Sequence, residues 1–187
     1  MLTVKLAIKI ATNVLLVIYP LIIYFSLKYQ HVNFAILFLM IVFLLRLMIL
    51  PRILGQLSWF AKVLPCIGLF LAFMSWLFTQ YQLLLCYPVV INFTFLALFL
   101  HSIKNPPTII ERFARMQDDN LSIKAIKYTR NVTWCWVGFF MLNGVISLVT
   151  CLLDDLALWT IYNGGISYIL IGTLMGGEWL IRKRFQH

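Results

Sequence analysis

The sequence predicts an all-α, polytopic membrane protein. The expected form is a bundle of six transmembrane helices, both termini cytoplasmic, with a short amphipathic interfacial helix between helices four and five. Three observations predict it. Of 187 residues, 63% are hydrophobic and only 11% charged, whereas a soluble domain carries charge on about a quarter of its residues. The apolar residues come in unbroken runs long enough to cross ~30 Å of hydrocarbon at ~1.5 Å per residue. Basic residues then fall almost wholly on one side of the resulting topology.

Lipid offers no hydrogen bonds, so each backbone amide within a run must be satisfied inside its own segment, which makes the runs helices. They do not alternate in polarity, which excludes barrel strands. The expected spans are 10–27, 33–50, 57–78, 83–101, 131–153 and 156–181, within a single membrane domain covering 1–187. Turn chemistry separates them. Pro51 and Gly55 follow span two, and Asn105, Pro106 and Pro107 follow span four. Asp154 and Asp155 divide the last two spans, where paired charges would be costly in lipid.

Orientation follows from the bases. With the N-terminus inside, the cytoplasmic side receives Lys5 and Lys9, then Arg46, Arg52 and Lys62. It also receives Lys104, Arg112, Arg115, Lys124, Lys127 and Arg130, and finally Arg182, Lys183 and Arg184. That is 14 of the 15 basic residues, leaving Lys28 outside. The positive-inside rule therefore selects termini-inside, and adding or dropping one span would scramble the split. Trp59, Trp134, Trp136 and Trp179 fall near inner span ends and Trp76 and Trp159 near outer ends, as expected of interfacial rings. Arg46 lies close enough to the inner end of span two to snorkel.

Lys5 and Lys9 ahead of an apolar stretch look like a signal peptide, but no small-x-small cleavage site follows, so a retained first helix is expected. Cys66, Cys86, Cys135 and Cys151 sit in apolar runs without CxxC spacing and read as small buried hydrophobes. Cys86 and Cys151 both fall near outer span ends; whether they pair is left open. His31, His101 and His187 are isolated from one another and from acidic residues, so no metal site or cofactor is expected. Residues 15–27 and 83–95 share a Tyr-Pro step and run in opposite directions, a weak echo of an inverted repeat.

The one substantial cytoplasmic segment is 102–130, with a net charge of +3 from six bases and three acids. Thr108 and Glu111 form a capping-box pattern, with Thr108 capping the helix and Glu111 reaching back. Ile109, Ile110, Phe113 and Met116 recur at helical spacing opposite Glu111, Arg112, Arg115, Asp118 and Asp119, which predicts the interfacial helix. Residues 121–130 lead into span five. Two readings of Arg112, Arg115, Lys124, Lys127 and Arg130 compete. They enforce topology and touch anionic headgroups at about 1 kcal/mol each, or they form a docking face for an acidic soluble partner. Nucleic acid is a poor partner, since neither a binding module nor interleaved aromatics are present.

Within the spans, Asn92, Asn143, Asn163 and Glu178 are the candidate intramembrane polar site. Asn92 and Asn143 near mid-span must find partners, as helix-to-helix glue or along a polar cavity. Glu178 is an intramembrane carboxylate, a functional candidate by default. A pair with Arg182 at i,i+4 is the simpler account. No second carboxylate or nucleophile lies at similar depth, so no catalytic residue is assigned and an enzyme is disfavoured. Gly172 and Gly176 form GxxxG, extended by Gly164, Gly165 and Gly177, a face for close helix approach within the bundle or between copies.

From Tyr87 onward the chain resembles a family of small bacterial inner-membrane proteins with no assigned mechanism. Their genes often lie among aryl-polyene or other fatty-acid-synthase-like biosynthetic genes. The residues that carry the resemblance are YPVVINF at 87–93, NPPTIIERFAR at 105–115, YTRNVTWCWVGFFMLNG at 128–144 and YNGGISYILIGTLMGGEWLIRKR at 162–184. A fainter similarity is to the septation-associated inner-membrane family. The resemblance implies that Glu111, Arg112, Arg115, Arg130, Asn143, Asn163 and Glu178 belong to a family pattern, without saying what they do. That gene context together with the basic 102–130 segment predicts a non-enzymatic accessory or scaffold protein of a lipid or polyene pathway, recruiting an acidic partner such as an acyl carrier protein or a pathway enzyme. The alternative is a small transporter or flippase for a lipid product.

Overall fold

The computed structural model describes residues 2–49, 58–116 and 119–185, and side chains at 14–15, 17–48, 62–116 and 119–181. Pro51, Arg52, Gly55 and Asp118, and the side chains of Lys5, Lys9, Trp59, Arg182, Lys183 and Arg184, lie outside these residues. The described chain is helical, with no strand among the described residues. Its elements are α1 (Leu2–Lys28), α2 (Val32–Ile49), α3 (Ser58–Phe78), α4 (Gln82–Leu85) and α5 (Tyr87–Lys104). They continue as α6 (Ile109–Arg115), α7 (Ile123–Leu152), α8 (Leu156–Ile161), a π-turn (Tyr162–Ile166) and α9 (Ser167–Phe185).

Three helical stretches among the described residues are long and apolar enough to cross a membrane: Gln82–Lys104, Ile123–Leu152 and Leu156–Ile181. Shorter apolar stretches, Val17–Lys28, Val32–Met48 and Lys62–Phe78, lie within α1, α2 and α3. Large apolar side chains such as Phe34, Phe70, Leu142 and Ile169 are exposed. Such a surface suits hydrocarbon and would be costly in water.

The chain divides into two compact units, Met1–Pro88 with Ser147–Tyr168, and Val89–Ile146 with Ile169–His187. In the first unit three short turns join helices. Each turn contains a non-glycine residue with left-handed backbone: Gln30 (φ 60°), Thr79 (φ 53°) and Asp154 (φ 53°). After α1, His31 N–H reaches Ser26 O at 2.7 Å and Gln30 N–H reaches Leu27 O at 3.1 Å. After α3, Gln80 N–H reaches Ser75 O at 3.1 Å and Thr79 N–H reaches Trp76 O at 3.4 Å. Both are Schellman closures, satisfying carbonyls that the helix end would orphan. A left-handed non-glycine costs roughly 1–2 kcal/mol, so these turns are held by the packing of the helices they join.

That packing centres on Tyr19, Ile23, Ile36, Leu39, Phe43, Ala72, Leu84, Leu85 and Trp159. Lipid tails are as apolar as these side chains, so burial alone does not drive the helices together; close fit does. A Cβ at Gly68 of α3 would fall on the Phe43 ring of α2, so glycine there lets the two helices seat. The Tyr-Pro echo acquires a place: the Tyr19 and Tyr87 rings meet edge-on at 5.2 Å, and Tyr19 also meets Trp159 at 6.2 Å. Pro88, second residue of α5, explains the break after α4. Its ring cannot continue a helix arriving from Leu85, yet its missing N–H suits a first turn.

In the second unit α5 meets α7 through a cluster of rings. Phe95 stacks on Phe140 at 5.0 Å, and Phe99 sits 5.1 Å from Phe140 and 6.3 Å from Trp136. Two tryptophans therefore differ from expectation. Trp136 and Trp159 are buried rather than interfacial, while Trp76, Trp134 and Trp179 are exposed. Trp159 is fully buried and donates its indole N–H to Leu85 O at 3.0 Å, which satisfies the one polar atom that would otherwise favour the interface.

Candidate functional site

The basic segment is a folded structure. Near the end of α5, Ser102 donates to Phe99 O at 2.8 Å and accepts from Ile109 N–H at 3.2 Å, which ties the start of α6 back to α5. The intervening Pro106–Pro107 bond is cis. Thr108 caps α6 as expected, accepting from Glu111 N–H at 3.3 Å. The Glu111 carboxylate points forward instead of back. It accepts from Arg115 Nη2 at 2.7 Å and Nε at 2.9 Å, and Glu111 is only 6% exposed. Arg115 Nη1 continues to Asp119 O at 3.2 Å, and Arg112 Nε donates to Pro107 O at 2.9 Å. An ion pair one helical turn apart with both guanidinium edges engaged orders the loop more than it stabilises the fold.

This bonding alters the amphipathic pattern. Ile109 and Glu111 are buried, Ile110 is half-buried, and Phe113 and Met116 are exposed. Pairing with Arg115 lets the carboxylate enter the interior, leaving Phe113 and Met116, one turn apart, facing out.

The five candidate bases consequently divide. Arg112 and Arg115 hold their own loop. Lys124, Lys127 and Arg130 have exposed side chains on the first turns of α7, which starts at Ile123, before the expected span. Ser122 opens this extension by accepting from Ala125 N–H at 3.2 Å. Spacing of three residues keeps the three bases within one arc of the helix. On another face Thr129 and Thr133 are buried, each turned back onto its own helix, to Ile126 O at 2.8 Å and Thr129 O at 2.7 Å.

The intramembrane candidates occupy separate settings. In the second unit, Asn143 of α7 donates to Asn92 of α5 at 2.9 Å, both buried. Gly144 allows this approach, since a Cβ there would lie 3.2 Å from Asn92 Cβ. In the first unit, Asn163 in the π-turn accepts from Ser147 Oγ at 2.7 Å. Its amide donates to Thr150 Oγ1 at 3.1 Å and to Trp159 O at 3.0 Å. Single π-turns inside helices are rare and frequent at functional sites, and here Asn163 links α7 to α8. Glu178 is half-buried, and its backbone carbonyl accepts from Tyr128 OH at 3.4 Å. The expected pair with Arg182 lies outside the described side chains.

Ser147, Thr150 and Trp159 were not among the expected site residues, although a signal for two of them is present. Thr129, Thr133, Trp136, Phe140, Asn143, Ser147 and Thr150 are all buried and recur at alternating spacings of four and three. This is a seam of heptad type along α7, made largely of small polar residues. A Cβ at Gly172 or Gly176 would meet nothing within 4 Å, so no described side chain packs closely on the GxxxG face. Comparison with protein-family models, with curated proteins and with solved structures finds no match for this chain.

Proposed function

We propose that this protein is a six-span inner-membrane protein of bacterial type, both termini cytoplasmic, that docks an acidic soluble partner on the first turns of α7. The single observation that carries this reading is the division of the bases. Arg112 and Arg115 bond within their loop, while Lys124, Lys127 and Arg130 stand exposed together on one helical face. A membrane-spanning helix extended into the cytoplasm by two turns presents that charge on a rigid support, and three bases attract an acidic surface across a Debye length of ~8 Å. Three helical stretches long enough to cross a membrane and shorter apolar stretches within α1, α2 and α3 support a count of six spans. The charge split supplies the orientation. Phe113 and Met116, exposed beside the loop, would enter the headgroup boundary and place α6 at the interface.

The resemblance supplies the pathway class: a scaffold in assembly of a lipid or polyene, with an acyl carrier protein or a pathway enzyme as partner. Transport is the weaker reading, because Asn92 and Asn143 bond to each other and Asn163 bonds to Ser147, Thr150 and Trp159. Co-purification from membranes at low and moderate salt tests the proposal. The wild-type protein should retain an acidic carrier at low salt and lose it as salt rises; no carrier at either salt would sink the idea.

A further inference from the structure

We propose that Cys86 and Cys151 form an intramolecular disulfide on the outer side of the membrane. Cys86 caps the C-terminus of α4 and Cys151 lies in the last turn of α7, both within the first compact unit. Their sulfurs are 3.6 Å apart, and neither residue is fully buried. Sulfur contact at this range needs only modest side-chain rotation to reach a bond of ~2.05 Å. The surroundings hold the pair together. Trp159 donates to Leu85 O beside Cys86, and Thr150, adjacent to Cys151, is bonded by Asn163.

The compartment rests on the termini-inside orientation proposed above, which puts the start of span four and the end of span five outside. Disulfides persist on that side. The oxidant is a protein or low-molecular-weight disulfide, RSSR. Either thiol, as its thiolate, attacks one sulfur and expels one RSH after protonation, giving a mixed disulfide. The other thiol, losing its proton, attacks the bound cysteine sulfur and expels the second RSH. Two protein thiols are oxidised, one RSSR is reduced to two RSH, and the new bond spans 65 residues of chain separation.

Thiol counting on the full-length protein in membranes tests this. Cells are quenched in acid, denatured, and treated with a polyethylene-glycol maleimide before and after reduction. Wild type should take two adducts before reduction and four after, because Cys66 and Cys135 stay free. Cys86→Ser and Cys151→Ser should each take three before and after. Four adducts on unreduced wild type, or a disulfide-linked dimer in place of the monomer, overturns the pair. So does failure of either serine variant to release its partner, and the wild-type count is decisive even if a variant folds poorly. Gln80→Cys in a cysteine-free chain reports orientation separately. Labelling of intact cells by a membrane-impermeant maleimide supports the outer placement, and no labelling overturns it while the adduct count still decides the bond.

Discussion

Two polar regions of this molecule use the same kinds of groups in opposite ways. Around the π-turn, Asn163, Ser147, Thr150 and the Trp159 carbonyl bond one another and are buried. In the basic segment, Glu111, Arg115 and Arg112 also bond within their own loop, but Lys124, Lys127 and Arg130 stand exposed. The first region holds helices together where lipid gives burial no advantage. The second keeps charge available on a fixed support. Polarity in the sequence alone does not separate these roles; the hydrogen-bond partners do.

Removing the outward charge should have the largest effect. The triple variant Lys124→Ala, Lys127→Ala and Arg130→Ala should weaken binding to an acidic partner by roughly 0.6–3 kcal/mol, at about 0.2–1 kcal/mol for each exposed charge pair. That is roughly 3- to 150-fold, read by titration at fixed salt, with thermal stability unchanged because these side chains are exposed. A drop in melting temperature instead would move them to the structural class.

The inward group should behave in reverse. Asn163→Ala removes three contacts, which at ~0.6 kcal/mol each costs about 2 kcal/mol of stability, measurable by unfolding in bicelles, with partner binding retained. Glu111→Gln keeps shape but weakens the pair with Arg115, and partial exposure of Arg115 limits the loss to about 0.5–1 kcal/mol. Limited proteolysis should detect that as faster cleavage near α6, with the melting temperature lowered by at most a few degrees. Asn143→Ala should be mildest, about 0.6 kcal/mol, seen only in a sensitive unfolding assay.

Much of the helix plan was legible. Runs of apolar residues marked 83–101, 131–153 and 156–181, and helices Gln82–Lys104, Ile123–Leu152 and Leu156–Ile181 lie there. Thr108 was legible as a cap because its hydroxyl and the α6 amide are local. What depends on distant partners was not. Gln30, Thr79 and Asp154 adopt left-handed backbone without the glycine that advertises it, because the joined helices hold them there. Trp159 read as interfacial, since nothing local shows that Leu85 O would satisfy its indole. Glu111 read as exposed for the same reason: its burial depends on where Arg115 goes. The α7 seam was visible in principle, but Thr and Ser at heptad positions look like ordinary span residues until a neighbour bonds to Ser147.

The central claim is that the exposed bases at the start of α7 face the cytoplasm. Substituted-cysteine labelling of Lys127→Cys and Gln30→Cys, each in a chain lacking Cys66, Cys86, Cys135 and Cys151, tests it most directly. In intact cells an impermeant maleimide should label the residue at 30 and leave the one at 127 untouched, while a permeant maleimide labels both. Impermeant labelling at 127 would contradict the account.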